Sequence, residues 1–334
     1  MKLRNLMALL GVIGLVIVVW LNRGQFVGVW RILKTLRWYI LAFVILIQLA
    51  SYWVNGLYYR SILRIFGYEM SIRRLFEGAL ATNFVNYVLP SAGIAGAGYL
   101  SQVLAPDVPR GESVLTQLTR YALSGLAVLI MMPVGLLLVL FTSNSAHQIV
   151  RITLLSALAI TVFAVFMVAV VQQESAVYRS VDRVVVVLKR AFPKIKPDAI
   201  RHFVDDFYLG WHRIISHKRH MLAPFEWSII YIVIEMGTFY LTFLAFGKLI
   251  NPGISVMAYL FANIASIFGG VFFSTGTFEV GMAGTLVVLG LPFPLAVSVT
   301  SVYRVLNLLI GLPPGFYFYR RYLPPKPSGL ENAA

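Results

Sequence analysis

The stretch Asn86–Gly98, NYVLPSAGIAGAG, ends an apolar run with a proline and three glycines, and the chain then turns hydrophobic again. Apolar runs flank it at 74–89 and 92–104, and a second short pair, 254–273 and 280–290, flanks Ser274, Thr275, Gly276 and Thr277. A helix of 11 to 16 residues rises about 16–24 Å, less than the roughly 30 Å hydrocarbon core of a bilayer. Short pieces of this kind read as half-helices. Pro90 removes a donor and disfavours helix at Leu89, while Gly93 and Gly96 permit a tight turn and close packing. Each pair therefore reads as a re-entrant hairpin.

Composition sets the solvent. The 334 residues are 59% hydrophobic and 12% charged, with a mean hydropathy of +0.80. That places the chain in the membrane class. Full spans are expected at 6–21, 38–54, 121–142, 153–171, 222–247 and 293–318. The expected fold is all-α, a polytopic helical membrane protein of about six spans and two opposed re-entrant hairpins, resembling an inverted repeat. Residues 1–321 read as one transmembrane domain, with hairpins at about 74–104 and 254–290, and 322–334 as a flexible tail. The N-terminal MKLRNLMALLGVIGLVIVVWLNRG reads as a retained first span, since no small-residue cleavage site follows its apolar body.

Lysine and arginine set orientation. Lys2 and Arg4 precede the first span, Arg60, Arg64, Arg73 and Arg74 follow the second, and Arg320, Arg321 and Lys326 follow the last. Arg110 and Arg120 are read into the loop before the third span. The segment 172–221 carries ten Lys/Arg against five Asp/Glu and reads as a cytoplasmic basic loop forming one or two interfacial helices. This predicts a multi-pass protein of the cell inner (plasma) membrane with both termini cytoplasmic. The loop 22–37, placed outside, departs from the pattern with four basic residues. The net +15 is accounted for by cytoplasmic loops and anionic lipid, and no nucleic-acid reader motif accompanies it.

With no cysteine, thiolate chemistry is excluded, and four of the five histidines fall in the basic loop. Neither a cofactor nor a metal is expected. The chemistry lies instead in polar residues inside apolar runs. Arg304 sits near the middle of 293–318 with Asn307 three residues on, and a guanidinium there must pair with an acid, meet a lipid phosphate or line a wet cavity. Glu279 is the nearest plausible acid in sequence, with Glu235 as the alternative. Asn83 and Asn86 lie on one face of the entering half-helix, where their amides are expected to satisfy exposed carbonyls. The expected substrate-binding set is Asn83, Asn86, Ser274, Thr275, Thr277, Glu279, Arg304 and Asn307. Glu77, Glu235, Pro90, Gly93 and Gly96 are candidates for coupling or gating.

Two long stretches, SIRRLFEGALATNFVNYVLPSAGIAGAGYL and GGVFFSTGTFEVGMAGTLVVLGLPFPLAVSVTSVYRVLNLL, carry a resemblance to the membrane domain of the lysylphosphatidylglycerol synthase and flippase-like family. Asn86, Leu89 and Pro90 match the family's first break, Phe278 and Glu279 its second, and Tyr303 and Arg304 its last helix. Ala97 stands where the family commonly has an acid, and STGT replaces its proline-led glycine turn. The resemblance implies a flippase or transporter that moves an anionic phospholipid or lipid-linked substrate between leaflets. Aminoacyl transfer is not expected, because the chain ends at YRRYLPPKPSGLENAA without the synthases' soluble domain. A membrane scaffold or regulatory partner of a lipid-modifying enzyme is the alternative, with an intramembrane lipid transferase behind it. Membrane lipids with anionic headgroups are the expected partners, and a homo-oligomer or a lipid-enzyme partner stays open.

Overall fold

The structure is a computed structural model that describes residues 36–88, 93–105, 107–140, 146–191, 197–269 and 276–322. The first predicted span, Pro90, Ser274 and Thr275 lie outside the described residues. Those that are described form an all-α protein.

Its helices, in chain order, are α1 (Trp38–Ile65), α2 (Ile72–Val88), α3 (Ile94–Leu104), α4 (Arg110–Leu140), α5 (Ala146–Gln172) and α6 (Glu174–Ala191). They continue with α7 (Pro197–Ser216), a 3-10 turn (Lys218–Met221), α8 (Leu222–Ala245), α9 (Pro252–Gly269), α10 (Thr277–Val288) and α11 (Phe293–Arg321). Four of them, α1, α4, α8 with the turn before it, and α11, are long and apolar enough to cross a membrane. Their outward faces carry exposed apolar side chains such as Phe43, Leu46, Leu126, Leu137, Val233 and Leu309. Such a surface suits acyl chains, not water.

Contacts at the helix ends sort the bundle into two poles. Arg213 of α7 donates to the Phe66 carbonyl and to Glu112, Arg74 pairs with Asp107, and Arg321 pairs with Glu77. The C-termini of α1, α3, α7 and α11 thus share one pole with the N-termini of α2 and α4. At the other pole the Arg37 amide donates to the Ala245 carbonyl, and the Asn251 amide donates to Leu138. The N-termini of α1 and α9 meet the C-termini of α8 and α4 there.

Helices α2 and α3 form an antiparallel hairpin, with Gly78 facing Val103 at its base and the Gly96 amide donating to Asn86 Oδ1 near its tip. Helices α9 and α10 form a second, in which Gly281 lies against Ala262 and Ala265. Both pack on α11, from opposite poles. Along α2, Glu77 meets Arg321, Leu80 and Phe84 meet Gly315, and Tyr87 meets Arg304. Along α10, Leu286 and Leu295 share one apolar cluster, while Phe278 stacks on Tyr303. The two tips therefore approach the same turn of α11.

One element departs from the expected boundaries with consequences for the site. The third span begins at Arg110, not 121, so Arg120 lies three turns inside α4 and is not a loop charge. Pro109 before the helix and Glu112 in its first turn supply the start signals. The basic loop holds two helices, α6 and α7, with Arg213 binding the second to the basic pole.

Candidate functional site

Arg304 stands where both hairpins end. Its Nε lies 2.6 Å from Glu279 Oε1, and its Nη1 donates to Tyr87 Oη at 3.3 Å. The guanidinium also lies 4.7 Å from the Tyr87 ring centroid and 5.5 Å from that of Phe278, within cation–π range. Glu279 sits in the first turn of α10, where free amides and the positive helix end favour a carboxylate. The ion pair goes to Glu279, the first of the two acids named from the sequence, and not to Glu235. Its Oε2 is buried with no hydrogen-bond partner among the described residues. The side chains nevertheless retain 20% (Arg304) and 27% (Glu279) of their surface, so the pair is not fully buried.

Glu235 sits apart from Arg304, although its neighbour Tyr303 links them. Its Oε1 accepts from Gln48 Nε2 at 2.9 Å and Ser51 Oγ at 2.6 Å, and its Oε2 accepts from Tyr303 Oη at 2.8 Å. These donors come from α1 and α11, so the carboxylate fastens three spans together.

The asparagines behave differently from expectation. Asn86 Oδ1 accepts the Gly96 amide at 3.0 Å, a buried donor in the first turn of α3, and its Nδ2 donates to Tyr121 Oη at 3.3 Å. It caps a helix across the hairpin; among the described residues no carbonyl is its partner. Gly93 holds φ at +86°, left-handed backbone that glycine favours, and a Cβ on Gly96 would collide with the Asn86 side chain. Asn83 Nδ2 donates to Tyr52 Oη at 3.0 Å, which places its amide at the edge of the same polar interior. Asn307 spends its Nδ2 on the Tyr303 carbonyl of its own helix. Thr277 opens α10 with a buried hydroxyl lacking a partner among the described residues.

Glu77 stands at the base of the first hairpin, 4% exposed, taking Arg73 Nε at 3.1 Å, Arg321 Nη1 at 3.3 Å and Tyr322 Oη at 2.8 Å. Burial, then the Glu77 carboxylate beside it, pushes the Tyr322 phenol above its ordinary value. This cluster ties α2 to the end of α11, and the Tyr99 hydroxyl reinforces it by donating to the Tyr319 carbonyl.

The residue that sequence reasoning missed is Arg120. Its Nε donates to Asn55 Oδ1 at 2.7 Å, and its guanidinium lies 5.4–5.9 Å from the ring centroids of Tyr58, Tyr59, Tyr121 and Tyr231. Among the described residues no carboxylate forms an ion pair with it. The available signal was the helix start at Pro109 and Glu112, which counts Arg120 inward. No group of three or more His, Asp or Glu side chains among the described residues is placed to hold a metal ion.

A family model described as Lysylphosphatidylglycerol synthase TM region matches residues 6–315 of the chain. A UPF0104 membrane protein of Methanothermobacter thermautotrophicus is 30% identical over 114 residues, 34% of this chain and 34% of that protein. The match thus spans about a third of that relative's length. No solved structure matches the chain.

Proposed function

The chain belongs to the lysylphosphatidylglycerol synthase TM region family, and from that premise we propose that it is a flippase-like transporter that passes an anionic phospholipid or lipid-linked headgroup between leaflets. One observation carries the reading: an arginine midway along a spanning helix, partly exposed, at the point where two hairpins from opposite poles bring Tyr87 and Glu279 together. A guanidinium with rigid paired donors matches a phosphate bidentately. The exposed acyl-facing surface leaves the lipid tails a place outside the protein while the headgroup crosses within.

In this reading α2–α3 and α9–α10 are re-entrant hairpins that enter from opposite faces and stop at mid-membrane, and α5 and the segment 6–21 complete six spans. The pole bearing Arg64, Arg73, Arg74, Arg110, Arg213, Arg320 and Arg321 is cytoplasmic, in keeping with the positive-inside bias. The Glu77 cluster is the cytoplasmic clamp that must open for a headgroup to enter from that side. Pro313 and Pro314, which lie between Arg304 and Arg321, interrupt the α11 ladder and give the helix a place to bend. Asn83 and Thr277 add polar contacts along the headgroup path.

The test is reconstitution of the purified chain in vesicles containing a fluorescent phosphatidylglycerol, with leaflet distribution read by dithionite quenching. Transbilayer movement that depends on the protein and is lost in Arg304→Gln supports the reading. Unchanged leaflet distribution overturns it. Movement of a zwitterionic analogue at the same rate overturns the choice of an anionic substrate.

A further inference from the structure

Helix α6 has three sides of different chemistry. Glu174, Tyr178 and Asp182, spaced one turn apart, meet His212, Asp205 and Arg201 of α7 in antiparallel register; the Tyr178 hydroxyl donates to Asp205 Oδ1 at 2.6 Å and Arg201 Nη2 to Asp182 Oδ1 at 2.9 Å. Ala176, Val177, Val181 and Val185 form an apolar side, which with Val170 of α5 and Ile200 of α7 walls a cavity of about 370 Å³. Arg179 and Arg183 form the remaining edge, exposed and three residues on from Ala176 and Ser180. Helix α7 is clamped to the bundle: Gly111 of α4 lies against its backbone at Phe203 and Phe207, and the Tyr208 hydroxyl donates to the Val171 carbonyl at the end of α5. The cavity is the gap between that clamped helix, α6 and the end of α5.

Its occupant follows from where it opens. Gln173 and Ser180 are its polar lining and both are exposed, so the cavity reaches the surface. Water gains little there, because the Ser180 hydroxyl already donates to the Ala176 carbonyl and the wall beyond Gln173 is apolar. On α5, Leu158, Val162, Phe166 and Val170 stand one turn apart and are all exposed, a continuous stripe of the kind acyl chains cover, and its last member is a wall of the cavity. The cavity is therefore the end of a surface suited to lipid. Tyr208 and Val171 fix it at the basic pole, and its free edge is cationic. Arg179 spends its Nε on the Ser175 carbonyl of its own helix, and among the described residues neither Arg179 nor Arg183 forms an ion pair.

We propose that this cavity is a binding site for an anionic glycerophospholipid of the leaflet at the basic pole: the upper methylenes of one acyl chain occupy the cavity, the rest of that chain follows the α5 stripe, and the phosphate lies against Arg179 and Arg183. An amphipathic helix with its apolar side at the boundary of headgroups and chains and cations at its edge binds anionic lipid by burial and charge together. The polar seam to α7 holds the apolar side of α6 over the gap, so that side is presented to a chain entering from the stripe. The site stands apart from the path through Arg304, which this lipid need not cross.

The experiment uses the full chain in nanodiscs of phosphatidylcholine with a rising mole fraction of phosphatidylglycerol that carries a diazirine near the ester end of one acyl chain; after photolysis the labelled residues are read by peptide mass spectrometry. Label on the apolar side of α6 and on Ile200 is expected to saturate with lipid fraction, whereas label on the outward face of α1, at Phe43 and Leu46, should rise in proportion to it. R183Q should raise the half-saturating fraction about fivefold, the contribution of one cation near an anionic lipid surface. R179Q/R183Q should bring phosphatidylglycerol to the value of the matching phosphatidylcholine probe. Val181→Trp, which fills the cavity, should remove the saturable label and leave that on α1, and Ala176→Leu, a smaller intrusion, should weaken it. Label on the cavity wall that rises in proportion, as on α1, overturns the site. Saturable label that is equal for the two probes in the wild type, or that survives both cavity-filling variants, overturns it as well.

Discussion

The Arg304–Glu279 pair gives the sharpest test, because a structural clamp and a headgroup site respond differently to the same substitutions. With the groups 2.6 Å apart at closest approach and partly exposed, the charge centres attract by roughly 4 kcal/mol at an effective permittivity of 20. Deleting one partner exposes the cost of the other. Arg304→Gln leaves Glu279 with one oxygen already unpartnered, and should destabilise by about 3 kcal/mol. Glu279→Gln should cost only about 1–2 kcal/mol, because Arg304 keeps the Tyr87 and Phe278 faces. The double variant should cost about 2 kcal/mol, a coupling of about 2–3 kcal/mol, or roughly 30- to 150-fold in the unfolding equilibrium. Unfolding in mixed micelles, followed by tryptophan fluorescence, reads all three. Single-variant costs that add within about 0.5 kcal/mol would refute the pairing. Repeating the series with phosphatidylglycerol in the micelle separates the two roles: the lipid phosphate should take the place Glu279 vacates and restore Glu279→Gln, while Arg304→Gln gains nothing. If neither variant responds to the lipid, Arg304 is a clamp.

Other sites give independent checks. Gly96→Ala should displace the Asn86 side chain and break its bond to the α3 amide, costing about 2–4 kcal/mol, whereas Gly98→Ala, with open space at its Cβ, should be neutral or stabilising; equal effects on the thermal midpoint would contradict the hairpin geometry. Glu77→Gln should free the end of α11, so that amide exchange across Tyr319–Tyr322 accelerates at least tenfold; unchanged protection would mean that Glu77 does not clamp the pole. Arg120→Lys keeps the charge but loses the planar face and the Nε bond to Asn55, and is expected to destabilise by about 1–2 kcal/mol in the same micelle assay. A silent Arg120→Lys would argue against the tyrosine box.

The sequence disclosed some parts of this site and hid others for physical reasons. Arg304 was legible because a guanidinium in the middle of an apolar run has no inexpensive location, so a partner or a wet surface had to be inferred. The short helices α3 and α10 were legible as apolar runs too short to cross, each preceded by a glycine-containing break. Nearness in sequence put Glu279 ahead of Glu235 as the acid for Arg304, but the geometry that makes the choice was not legible: a hairpin carries the first turn of α10 to Arg304, while Gln48, Ser51 and Tyr303 arrive at Glu235 from two other helices. Asn86 was legible as a polar residue at a turn but not as the acceptor for Gly96, a bond made across the hairpin.

Arg120 marks where the positive-inside argument loses resolution. A basic residue at the edge of an apolar run has the same sequence signature whether it lies in a loop or begins three turns of polar interior, because charge statistics assume that the edge of hydrophobicity is the edge of the helix. In α4 these edges differ: Arg110 to Thr119 is helical and, in its buried Glu112, Thr116 and Gln117, polar. A buried polar stretch of helix needs partners from other elements, and here Tyr59 donates to Gln117 while Tyr58 donates to the Arg120 carbonyl. The adjacent tyrosines at 58 and 59 and the one at 121 therefore supply in sequence what charge alone does not: a basic residue accompanied by aromatic residues on a neighbouring span is a candidate for the interior, and one accompanied by other basic residues is a candidate for the headgroup boundary. Arg120 falls in the first class and Arg73 in the second, beside Arg74 at the basic pole.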